Sequence, residues 1–183
     1  MNYINWLKEN LNEERFEHSL GVSEKSVELA QRFGLDVKKA KLAGLLHDCA
    51  KCLSKDELTK IITEHIKVEE CEMVNPKTFH APAGVYVAKN ILKVEDEEIL
   101  SAIRWHTIGY SGMSDFDKII FIADKIEART RPQEMINEIE PHLEFGLNKA
   151  MLACYKVTIK SLVDRDLTIC KNTIDLYNEL LND

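Results

Sequence analysis

One stretch limits what this chain can become: Leu42-Ala43-Gly44-Leu45-Leu46-His47-Asp48-Cys49-Ala50-Lys51. An apolar helical run ends here in a histidine and an aspartate side by side, with a lysine on the following turn. Consecutive residues on a helix stand about 100° apart, so the imidazole and the carboxylate share one wall, backed by Leu42, Leu45 and Leu46. A ring nitrogen and a carboxylate oxygen so placed suit a metal ion. A lone His-Asp pair is more often a surface accident, so a metal site requires partners from the rest of the chain.

The chain favours helices around this stretch. With only 7 Gly and 4 Pro among 183 residues, few breakers interrupt it. Apolar spacing predicts a short helix over residues 2 to 11 and a second from Glu13 to Phe33, with Gly34 as its C-cap and Arg15 and His18 one turn apart on one face. A central helix is predicted from Val37 to about Lys51. Ser54 and Glu57 form a capping-box pattern for a helix from Lys55 to Ile66. The pattern breaks near Asn75-Pro76, His80 opens the next helix, and Asp96 to about His106 forms another. Phe116 to Arg129 follows, and the remainder reads as two or three helices, including a long one from about Glu144 to Asp164. No strand alternation or repeat is visible. The expected class is all-α, one domain over 1–183, with a core over about 13–130 and C-terminal helices over 134–181 completing it.

Composition narrows the partners. A formal charge of −7 argues against tracking a nucleic-acid backbone, which needs a dense basic stripe. The longest strongly apolar run, Ile119-Ile120-Phe121-Ile122-Ala123, is too short to span a membrane, and the amphipathic N-terminus resembles no signal peptide, so a cytoplasmic home is expected. The five cysteines, Cys49, Cys52, Cys71, Cys154 and Cys170, are then read as reduced thiols. Cys49 and Cys52 form a C-x-x-C without the strand–helix context of a redox motif, and helix packing explains them better.

His18, His47, Asp48, His80, His106 and Asp124 fall at helix ends or on inward faces of five predicted helices. Only a fold that converges those helices brings them together. Their order, a His, then His-Asp, then a distant Asp, resembles the HD-domain metal-dependent phosphohydrolases. His80 and His106 resemble the additional ligands of members that hold two metals. More narrowly, Arg15-Phe16-Glu17-His18-Ser19-Leu20-Gly21-Val22, His47-Asp48-Cys49-Ala50-Lys51, Trp105-His106-Thr107 and Ile122-Ala123-Asp124-Lys125-Ile126-Glu127 are similar to the YqeK-type symmetrical diadenosine-tetraphosphate hydrolases. The resemblance implies a helical HD fold with a central metal site and a dinucleoside polyphosphate as partner, and leaves room for a homodimer. It departs from the family in Glu127-Ala128-Arg129-Thr130-Arg131-Pro132, where Thr130 stands at the position of the family's arginine; Arg129 and Thr130 are both carried as substrate contacts. Thr173, in Asn172-Thr173-Ile174-Asp175-Leu176-Tyr177-Asn178, matches a closing motif near the nucleotide.

Physical chemistry runs beside the resemblance. Mixed imidazole and carboxylate donors suit Fe, Mn, Zn, Ni or Co better than Mg or Ca. Iron is the expected metal, with His18, His47, Asp48 and Asp124 around one ion, His80 and His106 around a second, and Asp48 bridging. Two ions ~3.5–4 Å apart clamp a phosphate and acidify a shared water, so the expected nucleophile is hydroxide. Arg15 and Lys51, each one turn from a ligand, are expected to meet phosphate and stabilise departing charge; otherwise they are solvated cations. Thr107 either donates to phosphate or caps its helix. His65 and His142 lie in no motif, and Trp6 and Trp105 read as core, with Trp105 near the pocket. Three activities compete: symmetrical cleavage of the dinucleotide, an HD phosphatase or phosphodiesterase on other nucleotides, and a non-catalytic nucleotide-binding stress module.

Overall fold

A computed structural model describes residues 2–73 and 75–182, leaving the side chain of Cys71 outside the description. Among the described residues every regular element is helical. Two amphipathic helices open the chain, α1 (Tyr3–Asn10) and α2 (Glu13–Phe33). Asn2 and Asn12 cap their N-termini by accepting backbone N–H groups. α2 ends as expected at Gly34, whose φ of 71° is the left-handed conformation a C-cap needs.

α3 (Val37–Leu46) is shorter than the sequence pattern indicates. The helix stops because the His47 ring folds back and donates from Nδ1 to the Gly44 carbonyl at 2.7 Å, while Cys49, Lys51 and Leu53 make tight bonds to carbonyls three residues earlier. Lys51 therefore sits on a turn and not on the helix. α4 (Lys55–His65) carries the expected Ser54–Glu57 capping box. Two short 3-10 turns, Glu70–Met73 and Pro76–Thr78, cross the predicted break. α5 (His80–Tyr86) then widens into a π-helical turn, Val87–Ile91, before α6 (Glu97–Trp105), which Asp96 caps.

α7 (Asp115–Ile126) lies at the centre. Phe116, Ile119, Ile120, Phe121, Ile122, Ala123 and Ile126 are all buried on it, the all-round apolar pattern of an enclosed helix. Each large side chain there contributes about 1.5–3 kcal/mol by leaving water. α2, α3, α6 and α9 (Leu147–Asp164) pack around it. α7 ends at Ile126, three residues short of expectation, because Glu127 turns extended and its carboxylate accepts the backbone N–H groups of Arg129 and Thr130. α8 (Gln133–Ile139), a 3-10 segment (Glu140–Phe145), α9 and α10 (Lys171–Asn182) complete the chain. The long helix begins at Leu147, since the 3-10 segment takes up Glu144. Cys49, Cys154 and Cys170 are buried thiols and Cys52 an exposed one. No described helix is long and apolar enough to cross a membrane.

Candidate metal centre

α7 delivers Asp124 to a point where the ends of α2, α3, α5 and α6 also arrive. His18, His47, Asp48, His80, His106 and Asp124 are all at most 5% exposed. They form two linked groups. In one, His18 Nε2 is 2.9 Å from Asp124 Oδ1 and 3.3 Å from His47 Nε2, which lies 3.7 Å from the same carboxylate oxygen. In the other, Asp48 Oδ1 faces His80 Nε2 at 3.0 Å and His106 Nε2 at 3.4 Å, and the two imidazoles are 3.1 Å apart. His47 Nε2, 3.8 Å from Asp48 Oδ2, joins the two groups. Within each of the trios His18–His47–Asp124 and His47–Asp48–His106, all the candidate ligand atoms lie within 4.8 Å of one another.

The ring orientations are fixed from outside. His47 gives its Nδ1 proton to the Gly44 carbonyl, and His106 gives its own to the Ile103 carbonyl at 2.7 Å. Both therefore aim an Nε2 lone pair inward, the arrangement typical of metal-ligating histidines. Asp48 Oδ1 is buried and accepts no hydrogen bond from these rings. A buried carboxylate oxygen surrounded by acceptor nitrogens fits a transition-metal ion, which would satisfy all of them at once.

Electrostatics follow from this crowding. Burial works against the Asp48 carboxylate, but the adjacent His80, His47 and His106 rings outweigh it and hold its pKa well below the usual range. Asp124 behaves likewise, with Lys125, Arg131 and His18 overcoming burial. Burial dominates His106 and lowers it to about 4, and it lowers His80 despite Asp48. His18 moves the other way. Burial opposes its charge, yet hydrogen bonds to Asp124 and Glu127 prevail and raise its pKa.

The expected substrate contacts divide. Arg15 Nη1 is 3.7 Å from Asp48 Oδ2. Lys51 Nζ is 3.0 Å from His80 Nε2 and 3.7 Å from Asp48 Oδ1; burial lowers its pKa, against Asp48 and Asp124. Both line a cleft of about 480 Å³ together with His80. Thr107 and Thr173 border a separate cavity of about 80 Å³ with Asn75 and Thr78. Thr173 Oγ1 donates to the Ile108 carbonyl at 3.3 Å, and Tyr155 from α9 donates to it at 2.6 Å. Arg129 turns outward, its guanidinium held by Glu17 at 2.5 Å and Glu24 at 2.6 Å. Thr130 gives its hydroxyl to Glu127. His65 stacks on Tyr86, and Trp105 packs on Tyr110, all outside the ligand cluster.

Two residues without an expected role sit at the centre. Arg131 donates from Nε to the Asp124 carbonyl at 2.6 Å and places Nη2 2.5 Å from Asp124 Oδ1 and 3.2 Å from His18 Nε2. Glu127 is fully buried, lies 3.1 Å from His18 Nδ1, and accepts from Thr130 and two backbone amides. Burial raises its pKa, but these donors bring it down to about 2. Gly21 makes the room for it: a Cβ there would lie 2.1 Å from Glu127 Oε2. The signal for Glu127 was the run Asp124-Lys125-Ile126-Glu127, in which a second carboxylate follows the ligand by three residues.

Comparison with known proteins agrees with this geometry. The HD domain pattern matches residues 15–129. The symmetrical bis(5'-nucleosyl)-tetraphosphatase of Bacillus subtilis is 37% identical over 96% of this chain and 94% of its own length. The protein of the same name from Staphylococcus aureus is 33% identical over 93% and 89%. A Clostridium acetobutylicum protein, whose crystal structure is described as a predicted HD superfamily hydrolase involved in NAD metabolism, superposes with a TM-score of 0.92. It is 38% identical, over 98% of this chain and 95% of that one. From the convergent histidines and aspartates and from these relatives together, the chain belongs to the HD-domain hydrolases, in the branch of the symmetrical bis(5'-nucleosyl)-tetraphosphatases.

Proposed function

We propose that the chain hydrolyses diadenosine tetraphosphate symmetrically. Water adds at a central phosphorus, the adjoining bond to the central bridging oxygen breaks, and two ADP leave. One observation carries the reading: two nitrogen–oxygen clusters meet at His47 and Asp48 beside a cleft lined by Arg15, Lys51 and His80. The relatives that carry this reaction in their names support the choice of substrate.

His18, His47, Asp48 and Asp124 would hold one ion, and His80 and His106, beside Asp48, would hold a second. Iron is the preferred metal, and Mn, Co, Ni or Zn suit the same donors. Ions bound here supply Lewis acidity and a water that ionises near neutral pH. The chain's own part is positioning and charge. Arg15 and Lys51 hold the phosphate chain and stabilise negative charge on the departing ADP, an effect that grows in a site shielded from water. Arg131 is assigned the arginine contact to phosphate, since Arg129 is engaged by Glu17 and Glu24. Thr107 and Thr173 are assigned to the nucleoside end, and Thr130 to holding Glu127. A cytoplasmic setting is part of the same proposal, in keeping with a free nucleotide as substrate.

The test is turnover of the dinucleotide by iron- or manganese-loaded protein in ¹⁸O-water. ADP as the sole product, with one label per cleavage, is expected. AMP plus ATP, or no turnover by fully loaded protein, overturns the reading. Element-resolved anomalous scattering from crystals then counts and identifies the ions.

A further inference from the structure

The cleft beside the metal centre extends past Arg15 and Lys51 to two cations the reaction has not used, Lys55 and Lys77. We propose that this cleft is the seat of one ADP half of the substrate, and that Lys55 and Lys77 grip the α-phosphate of that half, the one farther from the metal centre. The inference rests on the reading above and adds the subsite and the residues that select a long polyphosphate.

The geometry supports it in three ways. First, the cleft starts at the chemistry: its inner wall is His80, against which Lys51 Nζ lies at 3.0 Å. A phosphate chain leaving the centre on this side enters it directly. At about 480 Å³ it falls within the ~300–1,000 Å³ of ordinary small-ligand sites. Second, Arg15, Lys51, Lys55 and Lys77 bring four cations to one cleft in a chain of net charge −7, with no carboxylate among its lining residues. Third, the placement of Lys55 is not explained by stability. It occupies the first position of α4, where a helix dipole disfavours a cation, and no acidic partner holds it among the described residues. Lys77 sits in the Pro76–Thr78 turn, whose shape Asn75 fixes by accepting the Lys77 amide at 3.1 Å. The same turn presents Thr78 to the small cavity bordered by Thr107 and Thr173. It therefore stands between the cationic cleft and a small cavity rich in threonines.

The experiment is calorimetric titration of manganese-loaded protein with ADP at low salt, comparing wild type with the double variant Lys55→Glu/Lys77→Glu. Two ADP per wild-type chain are expected, and one per variant chain, with unchanged metal content and a variant melting temperature no lower than that of wild type, since an anion suits the first position of α4. For the dinucleotide, kcat/KM of the variant should fall at least tenfold and lose much of its dependence on salt. One ADP per wild-type chain, or equal stoichiometry and affinity in both proteins, overturns the proposal. Two ADP bound by a wild type that does not cut the dinucleotide leaves the cleft standing and removes the proposed reaction instead.

Discussion

Gly21→Ala is a test in which local and tertiary effects have opposite signs. Position 21 lies inside α2, where alanine should stabilise by about 0.5–1 kcal/mol through helix propensity alone. The tertiary surroundings forbid it. The new Cβ would meet Glu127 Oε2 at 2.1 Å, Glu127 Cδ at 2.9 Å and Arg129 Cβ at 3.3 Å. The carboxylate cannot step aside freely, because Oε2 accepts the Arg129 amide at 2.7 Å and Oε1 holds His18 Nδ1 at 3.1 Å. Overpacking of this kind costs about 1–3 kcal/mol, and releasing one hydrogen bond to a buried charge adds roughly 1.5–3 kcal/mol. Less the propensity gain, the net loss is about 1.5–5.5 kcal/mol. In a chain of this size that lowers Tm by roughly 3–20 °C. If Glu127 withdraws from His18, metal affinity drops as well. Urea unfolding of the chelated variant, followed by metal titration of the loaded form, reads both effects. A variant as stable as wild type or more so, with unaltered metal affinity, would refute the claim that Gly21 is there to admit Glu127.

Glu127→Gln keeps the shape but removes the charge that holds the His18 ring. Chelator competition should show metal binding weaker by about 10–100-fold, and an affinity within twofold of wild type contradicts that role. Metal occupancy should fall below pH ~6.5 as ligand imidazoles protonate. Because His18 holds its proton more tightly than a free histidine, affinity should keep climbing with pH through that raised value; unchanged metal content after dialysis at pH 5 would refute a histidine-rich site. Without metal, the lowered His106 favours the folded state while neutral. Stability should therefore decline as pH falls from about 6.5 towards about 4, and Glu127 should extend the loss from about 4.5 towards about 2. His18 contributes with the opposite sign, stabilising the chelated fold below about 6.5 and losing that contribution as pH rises through its raised pKa. Urea midpoints flat between pH 7 and pH 4 would contradict this balance. Tyr155→Phe removes the hydroxyl that donates to Ile108 and should cost about 0.5–1.5 kcal/mol by thermal unfolding.

The helices were legible in the sequence because caps and apolar spacing are local signals. Ser54 with Glu57, Gly34 and Asp96 mark their boundaries without reference to the fold. The two ends misplaced at the candidate site lie where a side chain replaces a backbone partner. The His47 ring takes a carbonyl at the end of α3, and the Glu127 carboxylate takes two amides after α7. Both depend on what the rest of the molecule asks of that side chain. The six candidate ligands could be picked out by residue type and order, but the arginine nearest them could not. Arg129 and Arg131 differ only in direction, and that is decided by Glu17 and Glu24 far away in sequence. The π-helical turn after Tyr86 has no marker in the residues that form it.

Tyr155 has a consequence for how such a chain can be cut and joined. From α9 it stacks on Phe121 at 5.3 Å and grips the carbonyl of Ile108, to which Thr173 also donates, so residues beyond 150 hold the loop that follows His106. The HD domain pattern stops at residue 129. A graft excised at that border would carry every candidate ligand yet leave the face of α7 that Tyr155 covers open to water. The border of the domain pattern and the border of mechanical support are two different lines, and a fusion or transplant of this site has to follow the second.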